Sequence, residues 1–248
     1  MSNFKREAMK TKLFLLFAGL LLSAFAFSQE NIEEVRVSPP EFVGVDGAAF
    51  LLNPPAAELQ SLNAYVISKL EYPENDAKEF REGKEVIQFT VQTDGTLNDF
   101  VVINSVSSAM DDEVIRVLKT TNGMWKPGCN NREAVPMEKE IVVAFKLAES
   151  SNLQSQATHY FIKGNKQLLL KQHPQRAIKH FDKGIVLLPN EKCLLLARGL
   201  SRYEVGDKEG ACRDWNRIKA LGGFESDALL DNYCEMSGYA DMLKTVKE

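Results

Sequence analysis

The spacing of apolar residues changes along the chain and predicts alternating helices and strands before about residue 150. Apolar positions from Leu59 to Leu70 recur at helical spacing. Tyr72-Pro73 ends that helix, because the residue before a proline disfavours helical backbone. From Val86 to Val91, and again from Ile141 to Leu147, apolar and polar residues alternate, which is typical of half-buried strands.

A hairpin is predicted in the middle of this segment. Asp94-Gly95 is a turn signal, since glycine supplies the positive φ that tight turns require. The second strand of the hairpin follows the turn, and its apolar residues Leu97, Val101 and Ile103 are expected on one face.

A second helix follows the hairpin, and a loop follows the helix. Ser108 is the predicted N-cap, and Asp111 and Asp112 suit the positive end of the helix. Trp125-Lys126-Pro127-Gly128 is predicted to be a loop. The order helix, strand, strand, helix, strand predicts an α+β fold, in which a three-stranded antiparallel sheet packs both helices on one face.

After about residue 150 the strand pattern disappears and an internal repeat predicts an all-α region. Ala177 and Ala211 lie 34 positions apart, as do Phe181 and Trp215. Alanine followed by a large aromatic residue four positions later, at a 34-residue period, is the tetratricopeptide signature. A last helix, Ser226 to Glu235, is expected to cap these repeats.

The N-terminal segment has the order of charges and apolar residues that is typical of a signal peptide. Basic residues precede an uncharged run from Leu13 to Phe27, and Ala26-Phe27-Ser28 offers a small-x-small cleavage site. We therefore expect an exported, periplasmic protein that loses residues 1–28, with membrane association through an uncleaved signal as the alternative. The predicted organisation continues with these segments: an extended lead-in at 29–58, an α+β domain at 59–148 and a helical domain at 155–248.

Composition narrows the function classes. Apolar residues make up 44% of the chain and charged residues 26%, which is ordinary for a folded protein. The net charge is −4, and no basic face indicates a nucleic-acid partner. No nucleophile–base motif, phosphate loop or metal-ligand spacing stands out, so we predict a protein that is not an enzyme and needs no cofactor.

The cysteines suggest one disulfide. Cys212 and Cys234 flank the predicted last repeat helix and its cap, and a bridge between them would stabilise the region by about 3 kcal/mol. Two buried free thiols are the alternative. Cys129 and Cys193 could pair across the two domains, but their spacing does not establish that geometry.

Residues 60–147 resemble the TonB C-terminal domain family. The resemblance rests on several short motifs in the family order, namely Tyr72-Pro73, Glu82-Gly83, Phe89-Thr90-Val91, Asp94-Gly95, Trp125-Lys126-Pro127-Gly128, Val135-Pro136 and Val142-Val143-Ala144-Phe145. Pro40–Gly44 is similar to a segment that precedes this domain in secreted Bacteroidetes proteins. The resemblance implies an interaction module of the cell envelope.

In that family, a short segment of an outer-membrane receptor joins the domain's sheet as an added strand. The resemblance thus predicts a protein partner, for which a segment of an outer-membrane receptor is the candidate. A cell-wall ligand is the alternative to a protein partner. The expected binding site is the edge strand formed by Glu140, Ile141, Val142, Val143, Ala144, Phe145, Lys146 and Leu147.

Two other functions stay open. The chain could be an energy-transducing component of a TonB-type transport assembly. Against this, about thirty linker residues reach only about 100 Å when fully extended. Alternatively, it could be a structural envelope protein whose sheet edge is permanently covered. The sequence does not fix the oligomeric state.

Overall fold

The computed structural model describes residues 36–44, 61–148 and 151–234. From Val37 onward, the described residues belong to one compact unit. The predicted signal peptide and most of the predicted lead-in lie outside these ranges. Within them, every helix is too short or too polar to cross a lipid bilayer.

The described residues before 149 combine strands and helices, whereas those after 150 are helical. The first group comprises β1 Val37–Ser38, β2 Glu41–Phe42, α1 Leu62–Lys69, α2 Glu74–Lys78, β3 Gly83–Val91, β4 Leu97–Asn104, α3 Ser108–Lys119, β5 Trp125–Lys126, β6 Gly128–Asn130, β7 Glu133–Val135 and β8 Met137–Phe145. The second group comprises α4 Leu153–Asn165, a π-helical turn Lys166–Leu170, α5 Pro174–Leu187, α6 Lys192–Glu204, α7 Lys208–Ala220 and α8 Asp227–Tyr233.

The principal sheet is the predicted three-stranded antiparallel one, with the order β4-β3-β8. The predicted α+β class is therefore confirmed. The central strand β3 directs Ile87, Phe89 and Val91 into a buried core. Val66 from α1 and Val114 from α3 complete that core, so both helices cover the same face.

Strand β4 departs from the predicted alternation. Gln88 pairs with Val101 and Thr90 with Asn98, so two steps along β3 match three along β4. The extra residue forms a bulge, in which Asp99 has a φ of 52°. A one-residue slip moves side chains to the opposite face. The prediction that Leu97, Val101 and Ile103 share a face is consequently wrong: Leu97 is 4% exposed, but Val101 is 49% and Ile103 40% exposed.

The cap of α3 is Ser107 and not the predicted Ser108. Ser107 has extended backbone, and its Oγ accepts the Met110 N–H at 3.2 Å. The same hydroxyl donates to Asp76 Oδ2 at 2.7 Å. This tertiary contact distinguishes two neighbouring serines that are equivalent as local capping residues.

Part of the predicted lead-in joins the α/β core. β1 pairs with β6, and β2 pairs with β5 through Glu41↔Lys126 and Phe42↔Trp125. The Phe42 and Trp125 rings lie 5.5 Å apart. Trp125 and Lys126, predicted to be in a loop, therefore form a short strand, because a segment far away in the sequence supplies their partner.

The helical residues cover the other face of β3. Val86, which points away from the first core, is fully buried. At Gly83, a Cβ atom would lie 2.8 Å from the backbone oxygen of Val186 near the end of α5. Glycine at this position therefore allows α5 to approach the sheet closely, so the central strand β3 is covered on both faces.

The helical core repeats one packing arrangement. A Cβ atom on Gly164 would overlap the Phe181 ring, and a Cβ atom on Gly199 would overlap the Trp215 ring. Both aromatic side chains are fully buried. Each glycine thus makes room in one helix for the large side chain of the next helix, at the positions where the sequence repeat places an aromatic residue.

Candidate functional site

Strand β8 lies at one edge of the principal sheet. It pairs with β3 over nine consecutive residues without a register shift, from Gly83↔Phe145 to Val91↔Met137. Across the described ranges, no strand pairs with its other side. Since a strand directs alternate backbone groups to its two sides, the outer edge presents N–H and C=O groups that another strand could use.

The eight residues predicted as the binding edge do not all behave alike. Ile141, Val143 and Phe145 are buried in the core, so only their backbone is available. Strand β8 ends at Phe145, and Lys146 and Leu147 follow it. The predicted strand, Glu140 to Leu147, therefore begins three residues too late and ends two residues too late.

The end of β8 is fixed by a carboxylate. The Leu147 N–H donates to Glu82 Oε1 at 2.8 Å. Burial tends to raise the pKa of Glu82. Hydrogen bonds from Ser151, the Leu147 amide and Gln156, together with the charge of Lys146, outweigh burial and lower that pKa. Glu82 is therefore ionised at neutral pH and anchors the turn out of the sheet.

Charged side chains of β8 have partners in other parts of the fold. Arg217 of α7 donates to both carboxylate oxygens of Glu140, each at 2.6 Å. Lys139 Nζ donates to the Pro40 carbonyl at 3.0 Å and lies 5.9 Å from the centre of the Trp125 ring. These contacts fix β8 from both faces of the sheet and leave its outer backbone edge unpaired within the described residues.

A group of acids with buried carboxyl oxygens lies behind the sheet, and it is not among the predicted site residues. Glu85 Oε1 accepts the Val106 N–H at 2.8 Å, while Glu85 Oε2 and Asp111 Oδ1 are buried without any other partner. Burial, and then the hydrogen bond with Asp111, raise the pKa of Glu85 to about 9. Glu85 is therefore protonated at neutral pH and can donate to Asp111.

The pattern along β3 contains a signal for this group. Glu85 falls in the same alternation as Ile87 and Phe89, which places it on the core face. The acids lie around the N-terminus of α3, within the core rather than in a cleft. Their arrangement therefore belongs to the packing of the core.

The predicted disulfide is present. Cys212 and Cys234 are bonded, with their Cα atoms 5.8 Å apart. The bridge joins α7 to the end of α8, and Ser226 Oγ donates to the Trp215 carbonyl at 2.8 Å. Cys129 and Cys193 are free thiols, so the possible bridge between them is not formed. Within the described ranges, His, Cys, Asp and Glu side chains form no group of three that could hold a metal ion.

Comparison with known proteins agrees with the fold. Residues 68–147 match the sequence model of the family described as Gram-negative bacterial TonB protein C-terminal, which is about a third of the chain. No curated protein matches the chain.

Among solved structures, the chain is similar to two solution structures of the Helicobacter pylori TonB C-terminal domain. The structure of residues 194-285 is 22% identical, with a TM-score of 0.30, and the match covers 39% of this chain and all of that one. The structure of residues 179-285 is also 22% identical, with a TM-score of 0.31 and coverage of 43% and 98%.

The family match indicates a general class of function. The family implies protein interaction in the periplasm in TonB-linked transport, and it is a family of interaction domains rather than enzymes. The matched segment contains the whole β4-β3-β8 sheet, including the unpaired edge. Residues 68–147 are therefore similar in sequence to the TonB C-terminal domain family.

Proposed function

We propose that this protein is an exported, periplasmic adaptor that binds an extended segment of a protein partner as an added strand on β8. The partner class is an outer-membrane component of TonB-linked transport. In this proposal residues 1–28 are a cleaved signal, 59–148 form the binding domain, and 155–248 form a tetratricopeptide-like domain. The binding edge comprises the backbone from Glu140 to Phe145.

The observation that carries the proposal is the regular outer edge of β8. Strand addition requires several consecutive backbone groups at even spacing. The nine paired residues of β8 follow β3 without a shift, so the groups on the other side of β8 are evenly spaced as well.

The other edge of the sheet is a poor alternative. Strand β4 has two register shifts against β3, and Asp99 adopts positive φ. Bulges twist and interrupt an edge, and they are a common way to prevent strand pairing. The difference between the edges therefore favours β8 as the place where a partner binds.

The experiment that tests strand addition is a pull-down with a matched pair of proline variants. Val142 and Val143 are neighbours, so one directs its N–H toward β3 and the other directs it outward. Val142→Pro and Val143→Pro should differ accordingly, because proline removes a donor. One should lose sheet stability, and the other, termed the edge variant, should keep the native circular dichroism and melting temperature.

The purified protein and the edge variant are then used as baits for solubilised Gram-negative envelope. We expect the native bait to recover outer-membrane receptors and the edge variant to lose them. Equal recovery by both baits would overturn strand addition at β8. Slow amide exchange along the outer edge of β8 in the isolated protein would also overturn it, because the edge would then already be covered.

A further inference from the structure

A cleft lies beside β8, between the sheet and the helical residues. It consists of a cavity of about 390 Å³ and a second of about 220 Å³, which share Lys84 and Leu188 as lining residues. The smaller cavity is also lined by Val142 of β8, and the larger one by Lys146 just beyond the strand. The cleft therefore follows the last part of the proposed binding edge.

The cleft lies where alternate side chains of a strand added to β8 would point. Strands pair about 4.8 Å apart, and their side chains alternate between the two faces of the sheet. Side chains of a segment paired with β8 would therefore point alternately toward α1 and α3 and toward the cleft. In the second direction they would meet the connection between α5 and α6, where Leu188 and Pro189 form an apolar wall.

The side chains that line the larger cavity carry only positive charge. Lys84 and Lys146 both line it, and none of its described lining residues is acidic. Lys146 acts on Glu82, whose pKa it helps to lower. The Lys84 ammonium forms no ion pair with any residue that the structure describes. The smaller cavity contains one acid, Glu191, on its opposite wall.

We propose that the cleft selects a partner segment carrying one acidic side chain, which reaches the larger cavity and binds Lys84 and Lys146. This inference rests on the proposed strand addition and adds the chemistry of the partner. It also gives the helical residues a role in recognition, since the wall from Leu188 to Glu191 borders the same cleft. Lys84 is the principal determinant, because it lines both cavities.

The expected effect is moderate. Lysine–carboxylate pairs that water can reach contribute up to about fivefold in binding. Replacing Lys84 by methionine should therefore weaken binding of an acidic segment by about fivefold. Binding of the same segment with glutamine in place of the acidic residue should not change.

The test selects ligands from a phage-displayed library of random nonapeptides. The baits are the native protein, Lys84→Met, Lys84→Glu and the edge variant. Lys171→Glu is the matched control, because Lys171 is exposed and lines neither cavity. We expect peptides that bind the native protein but not the edge variant to be enriched in Asp or Glu at one position. The enrichment should persist with Lys171→Glu, disappear with Lys84→Met and change to Lys or Arg with Lys84→Glu.

The outcomes separate this inference from the proposed function. Edge-dependent peptides without an acidic preference would overturn the role of Lys84 and leave strand addition intact. Peptides that bind the native protein and the edge variant equally would overturn strand addition itself. An acidic preference that is unchanged in folded Lys84→Met would also overturn the inference.

Discussion

The α/β residues and the helical residues bury carboxylates in opposite ways. In the sheet, Glu85 lies against another acid, Asp111, and the pair is tolerated because Glu85 is protonated. In the helices, Asp214 is 3% exposed and binds two arginines: Arg198 Nη2 lies 2.6 Å from it and Arg202 Nη1 lies 3.0 Å from it. The stability that Glu85 contributes therefore depends on pH, whereas the stability of the two arginines depends on keeping Asp214.

The largest expected loss of unfolding free energy comes from removing Asp214, the acid that binds both Arg198 and Arg202. Asp214→Ala leaves Arg198 and Arg202 partly buried without their main partner, which typically costs about 3–5 kcal/mol. Urea unfolding, followed by tryptophan fluorescence, measures the loss. Asp182→Ala is the matched control, because Asp182 is about half exposed and also contacts Arg198. It should cost no more than about 1 kcal/mol. Equal losses in the two variants would contradict the dependence on Asp214.

An intermediate effect is expected from neutralising the sheet pair. Because folding raises the pKa of Glu85 to about 9, the folded protein holds a proton that the unfolded chain releases above about pH 4.5. The stability that Glu85 contributes is therefore fully present below that pH and is lost as pH rises toward 9.

Glu85→Gln should remove this dependence. Glutamine can donate to Asp111 and accept from the Val106 N–H without titrating, so the variant should be more stable than the native protein at pH 7 by about 1–2 kcal/mol. Urea unfolding between pH 5 and pH 9 tests this. Glu74→Gln, at an exposed site, is the control and should keep the native pH curve. A Glu85→Gln curve parallel to the native one would show that Glu85 is ionised in the fold.

The smallest expected effect concerns the cap above the acid pair. Ser107→Ala removes the hydroxyl that caps α3 and binds Asp76, which should cost about 1 kcal/mol. Ser108→Ala should change the unfolding free energy by less than about 0.5 kcal/mol, because Ser108 is exposed and caps nothing. Thermal unfolding of the two variants compares neighbouring serines directly. A larger loss for Ser108→Ala would restore the original sequence prediction.

The sequence predicted those features that depend on local spacing. The turn at Asp94-Gly95, the alternation of β3 and β8, and the disulfide between Cys212 and Cys234 are all present. These features follow from residues close together in the chain, or from two cysteines that flank one helix. Because the order of elements follows from them, the fold class could be predicted as well.

The missed features depend on partners that local spacing does not show. The alternation along β3 places Glu85 on the core face, but it does not show that Val106 and Asp111 lie beside it. The bulge at Asp99 moves Val101 to the other face without changing the apolar pattern. The cleft at Lys84 likewise could not be predicted from the sequence, because its opposite wall comes from residues about a hundred positions later.

The cap held by the disulfide has a consequence for the order in which the molecule is completed. A ribosome adds roughly 5–20 residues per second, so Cys234 is made about one to four seconds after Cys212, from which it lies 22 positions away. Until then, Trp215 lacks the Tyr233 ring, which lies 6.3 Å from it in the finished protein. The largest fully buried side chain of the helices can therefore be enclosed only after both cysteines have been made.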